Sequence, residues 1–318
     1  MPDLPRMCVI LNERSGDHAE GESRRDRMQR LMAEAGIDAE VVSPGKVDDL
    51  VATSRDALRR TGAGMLVAAG GDGTIAAVAA AAHDEGVPMS VIPQGTFNYF
   101  ARGLGIPEEM EGAIEAMAGG RFIEMPLGEV NGEVFLNNSS LGIYPLILQR
   151  REGIYRRWGR SRVAAYWSVL LALFGFRRPL RLRMTIDGTQ HTLRTAMVFV
   201  GSSAYQLDLF KLDGADAVRN GGFAIFTSKG QSSMDLVRTA LKLAGGAARK
   251  GEDYEFWTGR DIRIEMKRKR ALVARDGEKS LMQPPIHIRM RDLPLRVLVP
   301  QSAEISETPS NKDAAAAE

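Results

Sequence analysis

The stretch "MLVAAGGDGTIAAVAAAA", Met65 to Ala82, sets the architecture of the first part of the chain. It opens on an apolar run, Met65 to Val67, of the kind that forms a buried strand of a parallel sheet, and ends in alanines of the highest helix propensity. Gly70, Gly71, Asp72, Gly73 and Thr74 therefore join a strand to a helix. Glycines there permit positive φ and let another molecule approach the N–H groups. The helix start aims unsatisfied donors and its positive dipole end at the same place. The combination is a phosphate cradle. Thr74 can cap the helix or bond a phosphate oxygen. The Asp72 carboxylate sits beside phosphate only with a divalent cation or a hydroxyl proton between them. A lone glycine turn with an acidic cap is as readily an ordinary left-handed turn. The whole pentapeptide, expected by chance in on the order of one chain in a thousand, favours the cradle.

Outward from this turn, apolar runs alternate with helical patterns over the first 125 residues: "MCVILN", a helix from about Glu22 to Ala35, "DAEVVS", a helix from about Val47 to Arg60, the quoted strand and helix, then "PMSVIPQG". Repeated βα units predict a doubly wound parallel sheet with helices on both faces. Such sheets bind ligands at the carboxyl ends of their strands, where "LNERSG", Ser43 in "VVSPGK", the glycine turn and "VIPQGTFNYFARGLGIP" all fall. Gly95-Thr96 is a second Gly-Thr pair that ends a strand and opens a helix. From "IEMPLGEVNGEVFLNNSSLG" onward the pattern becomes strand pairs with turn signals such as Asn131-Gly132 and Asp187-Gly188, as in an antiparallel second domain. The expected division is 1–125, an α/β nucleotide-binding domain; 126–300, a β-sandwich; and 301–318, "QSAEISETPSNKDAAAAE", a disordered polar tail.

The 318 residues suffice for two cores, and the net charge of +2 excludes nothing by itself. The single cysteine, Cys8, lies in an apolar strand pattern, which fits a reducing cytoplasm and supports no disulfide framework. No signal peptide pattern opens the chain. The four histidines show no metal-ligand spacing.

"GGDGT", then "IPQGTFNYFARGLGIP", "VFLNNSSLGIYP" and "VARDGEKSLMQPPIHIRMRDLPLRVLVP", in this order from about Met7 to Pro300, resemble the diacylglycerol kinase catalytic-domain family of bacterial lipid kinases, relatives of the sphingosine kinases. The resemblance implies an N-terminal domain like that of NAD kinases and phosphofructokinases that holds ATP with Mg²⁺. It also implies a C-terminal antiparallel β-sandwich, with the lipid acceptor and nucleotide meeting in the cleft between. It places nucleotide contacts on Ser43, Gly70, Gly71, Asp72, Gly73, Thr74, Gly95, Thr96 and Asn98, and sets Asn12 and Gly16 where the family has an Asn-Pro and a glycine. The family's catalytic acid falls in Asp276-Gly277-Glu278, with Glu278 preferred over Asp276.

The chemistry of the residues agrees with that placement. Phosphoryl transfer needs a fixed γ-phosphate, a cation to neutralise charge and a base for the attacking hydroxyl. Glycine turns supply the first, Asp72 suits the second through water on Mg²⁺ or orients the hydroxyl itself, and a carboxylate of Asp276 or Glu278 can take the proton. Read as a strand beyond "ALVA", the two acids share one face. Alone, without the flanking resemblance, "DGE" reads first as a hairpin turn. Two positions depart from the family pattern: Asn98-Tyr99 stands for Asn-Asp, and Gly221-Gly222 stands for the Asp-Gly of a structural Mg²⁺ site, near which Asp213 and Asp216 lie.

Residues 150–183 hold ten arginines and one acid around the fourteen-residue apolar stretch Val163 to Phe176, which is short of the roughly twenty residues needed to span a bilayer, and they fit a segment lying in an anionic membrane interface. A core helix with solvated flanks has the same pattern. The reading is therefore a cytoplasmic lipid kinase held peripherally at the inner face of the membrane, with no nucleic-acid partner and room for a homodimer. The alternatives are a kinase of the same fold acting on a soluble acceptor such as NAD, and a catalytically inactive nucleotide-binding membrane module.

Overall fold

The structure is a computed structural model that describes residues 4–12, 23–45, 49–143, 145, 179–230, 232–244 and 249–307. The chain divides into two compact units, residues 1–127 with 291–318, and residues 128–290.

In the first unit, β1 (Met7–Leu11), β2 (Ala39–Val42), β3 (Met65–Gly70) and β4 (Met89–Pro93) are mutually parallel, in the order β2-β1-β3-β4. Every residue of β1, β3 and β4 is buried, the mark of strands covered on both faces. The cover is α1 (Arg24–Glu34) with α5 (Met110–Ala118), and α2 (Leu50–Thr61) with α3 (Asp72–Asp84); the short α4 (Tyr99–Gly103) comes after β4. The helix starts obey their caps: Ser23 accepts from the Asp26 N–H, and Asp49 from the Ala52 N–H. Cys8 is a fully buried core residue whose thiol is pushed up, chiefly by burial.

The second unit holds β6 (Gly128–Val130), β7 (Glu133–Phe135), β8 (Asn138–Gly142), β9 (Leu180–Ile186), β10 (Thr189–Thr195), β11 (Met197–Gly201), β12 (Phe223–Ser228), β13 (Tyr254–Gly259), β14 (Asp261–Met266), β15 (Ala271–Arg275), β16 (Glu278–Met282) and β17 (Ile286–Met290). They form two antiparallel sheets, β10-β9-β14-β17-β6-β7 and β13-β12-β11-β8-β15-β16. One core of inward-facing residues, among them Met184, Ile264 and Ile288 from the first sheet and Leu141, Val200 and Val273 from the second, packs the sheets into a sandwich. On the outer face of the second sheet, α6 (Ala204–Leu209) and α7 (Ala215–Arg219) cover Ala224 and Phe226. A further helix, α8 (Ser233–Ala244), comes after β12.

The first boundary, after Leu127, lies two residues from the expected 125, whereas the second falls at Met290 rather than 300. The last strand, β18 (Leu295–Val299), returns to the first unit, parallel to β4 and antiparallel to β5 (Arg121–Met125), and completes its sheet. Ahead of it, Arg291 Nη1 donates to Asp84 Oδ1 at the end of α3 (2.6 Å). The expected tail also begins later: the Ser306 N–H donates to the Gly103 carbonyl (2.9 Å) and Glu307 is buried, while 308–318 lie outside the described residues.

Candidate active site

The glycine turn lies at the carboxyl end of β3. Gly71 precedes α3 in extended backbone (φ −86°, ψ 179°), and no side chain caps the helix, so its first-turn amides face out from the strand ends. The second Gly-Thr turn lies against it: a Cβ on Gly95 would stand 2.8 Å from the Gly71 Cα, and one on Gly70 would stand 2.7 Å from Thr74 side-chain atoms. The Gln94 N–H donates to the Gly70 carbonyl (2.9 Å), so the two turns are also hydrogen-bonded. The positive φ that glycine permits is not used at Gly70, Gly71, Gly73 or Gly95; the room at Gly71 is for close approach rather than for a special backbone angle.

Asn12 closes the cradle from β1. Its N–H donates to the Ala69 carbonyl and its Nδ2 to Thr74 Oγ1, each at 2.9 Å. Thr74 is thus oriented by Asn12 rather than used as a helix cap. Asp72, the first residue of α3, lies 3.5 Å from the Phe100 N–H. Ser43 Oγ, after β2, and Gln94 Nε2, after β4, are buried and have no hydrogen-bond partner among the described residues. Buried orphan polar atoms of this kind require a ligand group or ordered water.

Asn98 adopts left-handed backbone (φ 50°) and staples its own loop: Oδ1 accepts from the Gly95 N–H (2.9 Å), and Nδ2 donates to the Gly95 carbonyl (3.2 Å) and to Glu108 Oε1 (3.0 Å). Arg102 holds Glu108 by Nε at 3.0 Å and Nη2 at 2.9 Å. These bonds, from Arg102 first and Asn98 second, hold the Glu108 carboxyl below the usual glutamate range. Glu108 and Arg102 went unmarked in the sequence, where only a carboxylate ten residues beyond Asn98 hints at them. Tyr99 stacks on Phe97 with centroids 5.5 Å apart and planes 6° from parallel. Gly16 lies outside the described residues.

The donor set fits nucleotide phosphates: uncapped helix amides, two glycine turns in contact, a threonine hydroxyl and two orphan polar atoms. Among the described residues no group of three or more His, Cys, Asp or Glu is arranged for a metal ion. A Mg²⁺ ion at this turn would draw on Asp72 together with phosphate oxygens and water, the usual mixed ligand set of that ion.

In the second unit, Asp276 and Gly277 are the two central residues of the β15–β16 hairpin, with φ 45° and 87°, a type I′ turn between paired Arg275 and Glu278. The turn corrects the expectation that Asp276 and Glu278 alternate along one strand. Asp276 Oδ2 accepts from the Leu136 N–H (2.7 Å), and Oδ1 from those of Asn137 (2.7 Å) and Asn138 (3.1 Å). Its oxygens therefore anchor the start of β8. Glu278 is exposed, and its strand partner Arg275 is ion-paired with Glu133.

Beside this anchor the run Asn137 to Ser140 is buried, and Asn137 Oδ1, Asn138 Oδ1, Ser139 Oγ and Ser140 Oγ have no partner among the described residues. Asn138 Nδ2 donates to Gln206 Oε1 (2.9 Å). Four consecutive polar residues between the apolar Val134-Phe135-Leu136 and Leu141 were the available signal. Near Gly221-Gly222, Asp213 accepts from the Tyr254 hydroxyl (3.0 Å) and Asp216 from Arg219 (2.8 Å). Burial, then Asp213, pushes the Tyr254 phenol up to about 12. The arginine-rich reading over 150–183 lies outside the described residues up to 178; from Leu180 it belongs to β9. No described helix is long and apolar enough to cross a membrane.

Residues 6–130 match the diacylglycerol kinase catalytic domain and residues 151–299 the YegS C-terminal NAD kinase beta sandwich-like domain. The chain is 35% identical over 146 residues to a protein named "Probable lipid kinase YegS" from Escherichia fergusonii, covering 45% of this chain and 47% of that one. It is 32% identical over 113 residues to a diacylglycerol kinase from Staphylococcus carnosus, covering 35% and 37%. These alignments span less than half the length of the curated relatives. A solved structure titled as a diacylglycerol kinase from Bacillus anthracis superposes with a TM-score of 0.70 over 94% of this chain and 98% of that one, at 18% identity, and shares its fold. With its glycine turns inside the first match and most of its sandwich strands inside the second, the chain carries a diacylglycerol kinase catalytic domain followed by a YegS C-terminal NAD kinase beta sandwich-like domain.

Proposed function

We propose that the chain is an ATP-dependent lipid kinase that transfers the γ-phosphate to a hydroxyl of diacylglycerol or a related lipid. The observation that carries this reading is the contact of two glycine turns, Gly70–Gly71 and Gly95, at the uncapped start of α3, with Asn12 and Thr74 tied beside them. The amides of α3 and of Thr96, beside the Gly95 amide that Asn98 holds, bind phosphate oxygens and fix them for in-line attack. The hydroxyls of Thr74 and Ser43 and the Gln94 amide complete the polar contacts. Bound Mg²⁺ would neutralise charge on the phosphates, with Asp72 as its protein ligand.

Of the two hairpin acids, Glu278 is the base that takes the acceptor proton, because the oxygens of Asp276 are occupied by three backbone donors. Asp276 instead fixes the strand that carries the buried polar run Asn137 to Ser140. A lipid acceptor brings the enzyme to a bilayer, and the basic segment 150–183 supplies peripheral attachment to an anionic, cytoplasm-facing surface. The test is incubation of purified protein with γ-labelled ATP, Mg²⁺ and a panel of diacylglycerol, monoacylglycerol, sphingoid base and NAD. Label extracted with a lipid is expected; label in NAD alone, or in no acceptor, overturns the proposal.

A further inference from the structure

The glycine turns account for the phosphate end of a nucleotide, but the loop between them and α4 also presents an aromatic side chain to solvent. Phe97 is 46% exposed although its neighbours Asn98 and Phe100 are buried. Its position is held: Asn98 bonds Gly95 from both ends of its amide and is braced by Glu108, and the Phe97 ring lies flat against Tyr99. A held, half-exposed phenyl ring beside a polar binding turn is an apolar contact surface for another molecule.

The order of the strands says which molecule. From β2 to β4 the strand ends carry polar groups in sequence: Ser43 after β2, Asn12 after β1, the Gly70–Thr74 turn after β3, and Gln94 with Gly95 after β4. With phosphates at the start of α3, a ribose and base directed toward β1 and β2 would meet the buried orphan Ser43 oxygen, which can accept a hydrogen bond from a sugar hydroxyl. Phe97 follows β4, so in the strand order β2-β1-β3-β4 it lies beyond the glycine turn from Ser43, and a nucleotide that reaches toward Ser43 leaves Phe97 to the acceptor. We infer that Phe97, backed by Tyr99, is a specificity-determining contact for the apolar part of the acceptor alcohol, next to the hydroxyl that receives the phosphate. The inference rests on the lipid-kinase reading above.

The experiment is steady-state kinetics with dioleoylglycerol in mixed micelles, Mg²⁺ and ATP, for the wild type, Phe97→Ala and Phe97→Leu, with melting temperatures recorded. Loss of a half-buried ring contact predicts a rise of roughly five- to tenfold in the KM for dioleoylglycerol for Phe97→Ala, with largely restored affinity in Phe97→Leu and an unchanged KM for ATP. A rise in the KM for ATP instead would show that the ring stacks on the base and overturn the inference. So would unchanged constants for both substrates. A wild type that binds ATP in calorimetry but phosphorylates no lipid overturns the kinase reading and this inference with it, whereas an active wild type with an indifferent Phe97 leaves the kinase reading standing.

Discussion

Two of the chain's Asp-Gly turns, Asp72-Gly73 and Asp276-Gly277, use the same dipeptide in opposite ways. Asp72-Gly73 opens a helix. Its backbone donors stay uncapped by any side chain, and the glycines around it make room, so that the turn is built to receive something. Asp276-Gly277 closes a hairpin. Both residues have positive φ, and the carboxylate turns inward to take three amides of the neighbouring chain, so that the turn is saturated by its own protein. Whether an Asp-Gly pair binds a ligand or holds a fold is decided by the element it leads into: a helix leaves donors unsatisfied, and a paired strand satisfies them.

The largest departure from this contrast is expected at the proposed base, on the exposed side of the saturated hairpin. Glu278→Gln should lower the rate of phosphoryl transfer by roughly a hundredfold to ten-thousandfold while ATP affinity is retained, as measured by labelled-lipid assay beside calorimetry. A near wild-type rate would move the base to Asp72 or elsewhere.

Asp276→Asn should act on the fold instead. One amide oxygen cannot replace a carboxylate that accepts from three backbone donors, and loss of such bonds costs about 2–3 kcal/mol, read as a lower denaturation midpoint. Gly95→Ala probes the open turn in the same way. Its Cβ would press on the Gly71 backbone, costing about 1–3 kcal/mol and separating the two turns, with ATP affinity falling in parallel.

The smallest effect is expected at Glu108→Gln, which keeps the shape but weakens the brace on Asn98. A few-fold loss of ATP affinity is expected. The pH dependence has a definite sign. Because the folded Glu108 carboxyl lies below its ordinary value of about 4.3, its contribution is present above that value and fades as pH falls through the folded pKa; nucleotide affinity limited by this brace should therefore hold at neutral pH and weaken only in acid. The exposed position of Glu108 keeps the effect modest.

Much of the first unit was legible in the sequence because its parallel strands are short, mostly apolar runs, with Asn12, Ser43, Gly71 and Gln94 next at the ligand edge, all of it local in sequence. The return of β18 was not. "LRVLV" has the alternation of a sandwich strand, and its partner β4 lies some two hundred residues earlier, a pairing no local pattern records. The hairpin at Asp276 did carry a signal, Asp-Gly between two apolar-containing runs, and of the two readings that signal allowed, a turn and one continuous strand, the chain adopts the turn. Glu108 and Arg102 stayed hidden because their function lies in a bond to the side chain of Asn98, which depends on how α4 folds back.

The decisive measurement is calorimetric titration of Mg²⁺-ATP into Gly71→Val and Asp276→Asn under conditions where both are folded. Backbone φ at Gly71 admits a side chain, and a Cβ there meets Gly95 only at 3.4 Å, so the valine acts mainly by filling the space a phosphate would enter. Loss of ATP binding in Gly71→Val with near wild-type affinity in Asp276→Asn is the predicted result; unchanged affinity in Gly71→Val would contradict the assignment of the helix-opening turn as the phosphate cradle.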